Sequence, residues 1–246
     1  MTAPRLPEEV FCMTCGPDVP LRRDRADRRL GAYAHAMTPE ALVRSATRRE
    51  TVPFVPEITL LTTAEPAGLW DLWDRTERDA PPFWAYPWAG GQALARYVLD
   101  HPSAVRGRRV LDAASGSGLV AIAAATAGAS SVVAGDIDQN AVTAIGMNAA
   151  ANGVTVGCRT FDFTADDTLG AEVVLAADVF YQRELARGAL RFLTRAARSG
   201  IHVLVADPGR AFLPASSLTP LISYDVPVLS VLEDVPVKRV TVYRLA

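Results

Sequence analysis

The pattern in which hydrophobic and polar residues follow one another changes near Val52. Beyond this point, short aliphatic and β-branched runs alternate with longer segments whose apolar positions recur at helical spacing. The runs predict strands that are buried on both faces, at 108–114, 131–137, 172–178 and 201–207. The segments between them predict helices at Leu119–Ala127, Gln139–Asn152 and Arg183–Arg198. This alternation predicts an α/β fold with a mostly parallel sheet and helices on both faces.

The C-terminal part departs from this alternation. From Leu221 onward, two alternating extended stretches with Pro227 and Pro236, but without a long helix, predict an antiparallel C-terminal hairpin at the edge of the sheet.

The N-terminal part also departs from it. Residues 1–50 mix arginines with acids and show little apolar periodicity, which predicts a disordered or loosely attached extension. We therefore place the folded domain at 51–246. An arginine-rich transit peptide is the alternative, although such peptides are poor in the acids found here. Met37 is an alternative first residue of the protein. Thr38-Pro39-Glu40, which follows it, predicts the beginning of a helix, because proline favours the first turn.

Composition and charge limit the partners of the chain. Half of its 246 residues are hydrophobic, yet no apolar run reaches the roughly 18 residues that a membrane span requires. The formal net charge of −2 provides no general attraction to nucleic-acid phosphates. We therefore expect a cytoplasmic protein without membrane or nucleic-acid partners, and we expect it to be a monomer.

The three cysteines give weak signals. Cys12 and Cys15 form a C-x-x-C pair, which fits a redox dithiol or half of a metal site. A structural zinc needs about four ligands, and only Cys158 and three scattered histidines remain. Two incidental cysteines are the favoured interpretation, so no metal centre is expected. Cys158 lies in a run that predicts a buried strand, where a free cysteine behaves as a small hydrophobe.

An aspartate lies at or next to the end of each of the four predicted strands. The carboxyl ends of parallel strands meet at one edge of a sheet, where ligands bind in open α/β folds. Each acid on its own is also a normal cap for the next helix. Together they predict a ligand crevice with four acids: Asp112, Asp136, Asp178 and Asp207.

The first of these strands leads into a glycine-rich turn, VLDAASGSGL. Gly116 and Gly118 let the backbone approach a ligand closely, and the helix that follows offers free N–H groups. Beyond the turn, Asp136 ends the second strand, where a carboxylate accepts the hydroxyls of a ribose. The turn therefore predicts an adenosine-containing cofactor.

Two cofactors fit such a turn. The segment from Gly116 to Ala121 matches the dinucleotide pattern G-x-G-x-x-G/A, but a lone match is weak. Asp112 would repel a pyrophosphate and attract a cationic amino group, and the chain has no Tyr-x-x-x-Lys pair for hydride chemistry. S-adenosylmethionine carries an ammonium and a sulfonium and no phosphate, so it is the favoured cofactor.

Further positions suit the adenosine part of that cofactor. Asp162 is placed to accept from the adenine amino group, and Ile137 is placed to pack on the adenine face. Phe161 or Phe163 is expected beside the ring, with core packing as the alternative.

Five motifs then occur in a fixed order: FWAYPWAGGQALARYVLDHP (83–102), LDAASGSG, AGDID, ADVFY and ADPGRAF (206–212). Asp178-Val-Phe-Tyr181 resembles the D-x-x-Y motif of the seven-stranded protein-lysine methyltransferases. Within that group, the five motifs together are similar to those of the methyltransferases that modify lysines of the electron transfer flavoprotein β subunit, including bacterial relatives. The similarity runs from about Val52 to the C-terminus.

The resemblance implies a Rossmann-like seven-stranded methyltransferase fold, S-adenosylmethionine as methyl donor and a protein lysine as acceptor. We assign Asp178 to orient the acceptor amine and Tyr181 to complete the wall of the site, as the catalytic pair. Ala114 departs from the family, which usually has the first glycine of the turn at this position. Its methyl group is expected to crowd the methionine moiety and to lower cofactor affinity.

The aromatic stretch PFWAYPWAGGQAL places three aromatic residues in front of two glycines. Alternation alone predicts a half-buried strand that packs on the core. The position of the stretch beside the expected crevice favours a second interpretation. Trp88, with Gly90 and Gly91, borders the methionine end of the cofactor, while Trp84 and Tyr86 offer apolar and cation–π surface to an incoming lysine.

Two other functions stay open at this point. One is a small-molecule N- or O-methyltransferase, because a fold does not determine its substrate. The other is a non-catalytic cofactor-binding or interaction module, and the Asp178-x-x-Tyr181 pair argues against it.

Overall fold

The structure is a computed structural model, and it describes residues 37–65, 68–69, 81–233 and 235–245. Cys12, Cys15 and most of the predicted N-terminal extension lie outside the described residues. The helices are α1 (Pro39–Ala46), α2 (Ala89–Asp100), α3 (Leu119–Thr126), α4 (Gln139–Ala151), α5 (Arg183–Arg198) and α6 (Ser230–Glu233). None of these helices combines the length and apolarity that crossing a membrane requires.

The described residues also form nine strands. The strands are β1 (Arg48–Val52), β2 (Val55–Thr62), β3 (Arg109–Ala113), β4 (Ser131–Asp136), β5 (Gly157–Thr160), β6 (Val173–Ala177), β7 (His202–Asp207), β8 (Leu218–Pro227) and β9 (Val237–Leu245). Short 3-10 turns occur at Phe83–Ala85, Pro102–Ala104 and Ala215–Ser217.

Strands β3 to β9 form one seven-stranded sheet in the order β5-β4-β3-β6-β7-β9-β8. The first five strands in this order are mutually parallel, and β9 runs antiparallel to both β7 and β8. The predicted parallel sheet and antiparallel C-terminal hairpin are therefore confirmed. The four predicted buried strands are β3, β4, β6 and β7, and the predicted helices are α3, α4 and α5.

Alternate residues of the central strands face two separate hydrophobic cores, as the period of a strand requires. In β6, Val173 and Leu175 pack in the core beneath α2, α3 and α4, whereas Val174 and Ala176 pack in the core beneath α5. Helices thus cover both faces of the sheet, and long apolar runs in the strands are the consequence.

The strand predicted around Cys158 is β5, at the edge of the sheet, and three of its four residues are exposed. The expectation of a buried strand is therefore wrong, because an edge strand has a neighbour on one side alone. Partial burial raises the pKa of the Cys158 thiol, so the group stays protonated at neutral pH.

The folded part begins earlier than the predicted boundary at residue 51. Thr38 caps α1 by accepting a hydrogen bond from the Ala41 N–H, and Leu42 and Val43 of this helix are buried. The hairpin of β1 and β2 follows directly. The prediction of a disordered or loosely attached extension is therefore wrong for residues 39–50, because α1 buries apolar side chains and β1 pairs with β2.

Two asparagines of α4 attach this N-terminal hairpin to the sheet domain. Asn148 accepts from the Leu61 N–H at 2.7 Å and donates to the Ser117 carbonyl at 2.8 Å. Asn152 accepts from the Thr59 N–H at 3.0 Å and donates to the carbonyl of the same residue at 2.7 Å. Asn148 thereby links β2 to the glycine-rich turn.

Candidate active site

The four aspartates lie together at the carboxyl edge of the parallel strands. Asp112 is the penultimate residue of β3, Asp136 and Asp207 end β4 and β7, and Asp178 follows β6. Because β8 runs parallel to β7, the segment between β8 and β9, which contains α6, leaves the sheet at this same edge. The predicted gathering of the acids is confirmed.

The glycine-rich turn alternates left-handed residues. Ala114, Gly116 and Gly118 have φ angles of 58°, 55° and 84°. A Cβ at Gly116 would meet no described atom within 4 Å, so this glycine serves the backbone conformation and leaves open space above it. At Gly118 a Cβ would lie 3.2 Å from Ile145, so this glycine lets the turn pack on α4.

We expect Ala114→Gly to raise the free energy of unfolding by about 0.5–1 kcal/mol. Left-handed backbone costs an L-residue roughly 1–2 kcal/mol, which exceeds the entropic cost of roughly 0.5–1 kcal/mol for a glycine. Urea denaturation of the two proteins measures the difference. Ala113→Gly, in β3 at a buried position, is the matched control and should lower stability. An unchanged or lower stability of Ala114→Gly would contradict the assignment of strain.

Asp112 lies inside the turn. The residue is 1% exposed, and its Oδ2 accepts hydrogen bonds from the Ser115 hydroxyl and from the Ala121 N–H. Burial raises the pKa of this carboxyl to about 7. Its visible role is to hold the turn against the start of α3, and a contact with a cofactor amino group stays a prediction.

Asp136 and Ile137 border the open space beside the turn. Asp136 accepts from the Gly116 N–H at 2.8 Å and from the Asp138 N–H at 3.1 Å, and burial raises its pKa to about 6. The next side chain, Ile137, is 67% exposed. An exposed aliphatic side chain next to a partly buried carboxylate provides one apolar and one polar surface, which suits a base and its ribose.

Asp162 follows β5 and accepts from the Thr164 N–H and hydroxyl, both at 2.7 Å. Its predicted contact with adenine remains untested. Phe161 and Phe163 are buried and pack with their ring centres 5.4 and 5.5 Å from that of Phe192. Core packing therefore accounts for both phenylalanines, and the expectation of a ring beside the base is wrong for this pair.

Asp178 stands in a strained and tightly bound position. Its φ is 55°, and its side chain is 12% exposed. Oδ1 accepts from Arg210 Nε at 3.2 Å and from Nη2 at 3.0 Å, while Oδ2 accepts from the Gly91 N–H at 3.1 Å. Burial raises the pKa of Asp178 to about 6, and Arg210 acts against this rise.

The ion pair continues outward from Arg210. Its Nη2 lies 3.4 Å from Glu233 Oε1, and Lys238 donates to the other oxygen of Glu233. We call Asp178, Arg210, Glu233 and Lys238 the charge cluster; its two acids and two bases alternate in sign. Burial opposes the charge of Arg210, but Asp178 and Glu233 outweigh it and raise the pKa of this residue.

Asp207 supports this cluster from the end of β7. Its Oδ1 accepts from the Gly209 and Arg210 N–H groups, both at 2.7 Å. Its Oδ2 is buried and has no hydrogen-bond partner among the described residues. Burial raises the pKa of Asp207, and its backbone contacts fix the turn from which Arg210 reaches Asp178.

The aromatic stretch divides differently from the prediction. Trp84 and Tyr86 are 1% and 2% exposed and pack against α1 and α4. The expectation that they present surface to a lysine is wrong for Trp84, which fills this core, whereas Tyr86 packs in the same core and also lines a cavity described below. Phe83 instead packs with the other two aromatic residues of the site: its ring centre lies 5.5 Å from that of Tyr181 and 5.7 Å from that of Trp88.

Trp88 and Tyr181 frame the outer part of the site. Trp88 is the residue before α2, and its indole N–H donates to the Phe83 carbonyl at 2.8 Å. Tyr181 is 41% exposed. A wall of three rings, Tyr181, Phe83 and Trp88, therefore runs from the D-x-x-Y segment to the start of α2.

A cavity of about 120 Å³ is bordered by Trp88, the last ring of this wall, and by Glu233 of the charge cluster. Its lining is mostly apolar and includes Tyr86, Trp88 and Leu229, and its polar residues are Gln92 and Glu233. The cavity therefore combines an apolar wall with a buried carboxylate.

Sequence reasoning missed Arg210 and Glu233. Arg210 stands in the motif ADPGRAF, but a role did not follow from the motif, because its partner Asp178 is 32 residues away. Glu233 lies in a segment that predicted no helix. The pairing of β7, β8 and β9 brings Arg210 and Glu233 to Asp178, and no local sequence pattern indicates these contacts.

Comparisons with known proteins find methyltransferases among the relatives of this chain. The family model of ribosomal protein L11 methyltransferase (PrmA) matches residues 93–181. The chain is 39% identical over 186 residues to the electron transfer flavoprotein beta subunit lysine methyltransferase of Xenopus laevis, covering 72% of each protein. It is 37% identical to the mouse protein of that name, covering 70% of each.

A solved structure supports the fold. The tRNA (uracil-54, C5)-methyltransferase of Pyrococcus abyssi, in complex with S-adenosyl-L-homocysteine, matches with a TM-score of 0.53 and 15% identity, covering 82% of this chain and 44% of that one. At this identity the match concerns the fold alone: the sheet and its helices are arranged as in that structure.

Proposed function

Because the chain belongs to the family of electron transfer flavoprotein beta subunit lysine methyltransferases, we propose that it methylates a lysine of that subunit with S-adenosylmethionine as donor. The observation that carries the proposal is the position of Asp178. This buried carboxylate accepts from the Gly91 N–H in the first turn of α2, which follows Trp88, and stands three residues before Tyr181 at the ligand edge of the sheet.

The residues of the first two strand ends fit the cofactor. Asp136 would hold the ribose, Ile137 would cover the adenine, and the open space above Gly116 would admit the methionine part. Asp162 and Trp88 border the two ends of this region. When bound, S-adenosylmethionine supplies a methyl group on a sulfonium, and its cationic groups suit an edge that carries four aspartates.

The acceptor lysine must be neutral before it attacks. Its reference pKa is about 10.4, so the site has to favour loss of the proton. Asp178 would accept hydrogen bonds from the amine and orient its lone pair. Phe83, Trp88 and Tyr181 would exclude water, which disfavours the ammonium form. Fixed orientation of the amine then supplies much of the rate.

The cavity beside Trp88 suits the aliphatic part of the acceptor side chain. Apolar residues form most of its lining, and burial of methylene groups against them is favourable by about 0.8 kcal/mol each.

We also propose that the protein acts as a cytoplasmic monomer without membrane or nucleic-acid partners, in line with its net charge of −2.

Labelled methyl transfer tests the proposal. The purified protein is incubated with methyl-labelled S-adenosylmethionine and the electron transfer flavoprotein of the same cell, with a small-molecule extract as a parallel substrate. We expect label on the β subunit. Label confined to small molecules would instead support a small-molecule methyltransferase. Cofactor binding without any transfer would support a non-catalytic module.

Cofactor affinity should fall as the pH drops through about 6. Burial raises the pKa of Asp136 to about 6, and ribose hydroxyls donate to its ionised form. Above this pH the carboxylate is ionised and affinity is maximal; below it, protonation competes with binding, by up to about tenfold per pH unit.

Calorimetric titration between pH 5 and 8 measures this dependence. Asp136→Asn should bind about 10–100-fold more weakly, the cost of losing charge-assisted hydrogen bonds, and with a flatter pH dependence. An equal pH dependence in Asp136→Asn would exclude this carboxyl as its source.

A further inference from the structure

Arg210 binds Asp178, the residue that we propose orients the acceptor lysine. Its guanidinium donates twice to Asp178 Oδ1, at 3.2 and 3.0 Å, and its side chain is 15% exposed. Two N–H bonds from one planar group to one carboxylate fix both partners in orientation. Asp178 Oδ2 is held separately by the Gly91 N–H, so the carboxylate has little freedom to rotate.

The pairing also changes the charge that a lysine would meet. An isolated carboxylate next to the amine would stabilise the ammonium form and so oppose methyl transfer. A guanidinium on the far side of that carboxylate repels the ammonium and offsets this effect. Asp178 then keeps its hydrogen-bonding oxygens while the pair carries no net charge.

We propose that Arg210 is a positioning residue that fixes Asp178 and, by its charge, lowers the pH at which the acceptor lysine becomes neutral. The inference rests on the proposed function, since it concerns the same acceptor. The proton that leaves the amine goes to the solvent, and no further reactant is required.

Other charged groups face this pair from each element around it. Glu233 of α6 contacts Arg210, and Lys238 of β9 contacts Glu233. Asp207 at the end of β7 lies close enough to raise the pKa of Asp178. Tyr181 stands on the outer side, and α2 contributes Gly90 and Gly91, which carry no charge. Because Glu233 partly offsets Arg210, its removal should act in the opposite direction.

The test is the pH profile of kcat for methylation of the flavoprotein β subunit, at saturating S-adenosylmethionine and saturating β subunit, between pH 6 and 10, because kcat reports the pKa values of groups in the bound complex. We expect Arg210→Gln to move the acidic limb upward by about one pH unit or more, since a neighbouring charge typically shifts a pKa by about 1–3 units. Arg210→Lys keeps the charge and should keep the limb near its wild-type position at a reduced kcat. Glu233→Gln should move the limb downward.

Arg239→Gln is the matched control, because Arg239 pairs with Asp225 at 3.6 Å on the exposed side of the hairpin. It should leave the profile unchanged. A uniform loss of rate in Arg210→Gln, with the limb in place, would overturn the inference and reduce Arg210 to a structural role. If Arg210→Gln does not fold, the limb of Glu233→Gln decides: an unchanged or raised limb would overturn it. Absence of methyl transfer by the wild-type protein would instead refute the proposed function.

Discussion

Gly90→Ala should reduce methyl transfer by at least about 100-fold, the effect of displacing a reacting group by about 1 Å. A Cβ at this position would lie 2.5 Å from Asp178 Oδ2, 2.7 Å from its Cγ and 2.8 Å from the Ala206 carbonyl oxygen. The carbonyl belongs to β7 and cannot move away, so Asp178 must. Overpacking of this kind also costs about 1–3 kcal/mol of stability.

Gly91→Ala is the matched control. A Cβ there would meet no described atom within 4 Å, and the backbone N–H would still donate to Asp178. We expect a far smaller loss of activity than in Gly90→Ala, and a gain in stability of up to about 1 kcal/mol from helix propensity. Methyl transfer and urea denaturation of both variants measure the contrast. Equal activities in the two variants would show that Asp178 tolerates displacement.

Asp178→Asn should lower kcat by at least about 100-fold, the effect of losing the fixed orientation of a reacting group, while cofactor affinity stays close to that of the wild type. Asparagine tolerates the left-handed φ of 55°, so the backbone is preserved. The amide leaves the charge of Arg210 uncompensated, and breaking a buried pair costs about 3–5 kcal/mol. Thermal unfolding should show this loss.

Single-turnover methyl transfer and calorimetric cofactor binding separate the two effects of this change. Asp225→Asn is the control, since it makes the same chemical change in an exposed ion pair with Arg239. It should alter neither quantity. Retained methyl transfer by folded Asp178→Asn, or a parallel loss of cofactor binding, would remove Asp178 from the acceptor role.

Local patterns predicted the sheet and its helices well. Each of β3, β4, β6 and β7 is a short, largely apolar run, as expected for strands whose two faces are both covered by helices. The turn from Asp112 to Gly118 was also predictable, because its signals lie within a few positions of one another: an acid at the end of a strand, followed by the glycines that left-handed backbone favours. The helix opening at Thr38-Pro39-Glu40 was visible in the sequence, but α1 was still placed in the predicted extension, since arginine-rich surroundings hid two buried residues, Leu42 and Val43.

The acceptor end of the site was predictable only in part. Asp178 and Tyr181 belong to one short motif, whereas Arg210 and Glu233 reach Asp178 through the pairing of β7, β8 and β9. The position of the aromatic stretch beside the crevice suggested that Trp84 and Tyr86 face a ligand, whereas both are buried, and Phe83 at the start of the 3-10 turn Phe83–Ala85 is half-buried. Contacts between distant segments decide both cases.

Mass-spectrometric mapping of the electron transfer flavoprotein after reaction with this protein and S-adenosylmethionine tests the central claim most directly. The account predicts methyl groups on the side-chain nitrogen of one or more lysines of the β subunit, present with the wild-type protein and absent with Asp178→Asn. Methylation at another residue type, or equal methylation of the same lysine by Asp178→Asn, would contradict it.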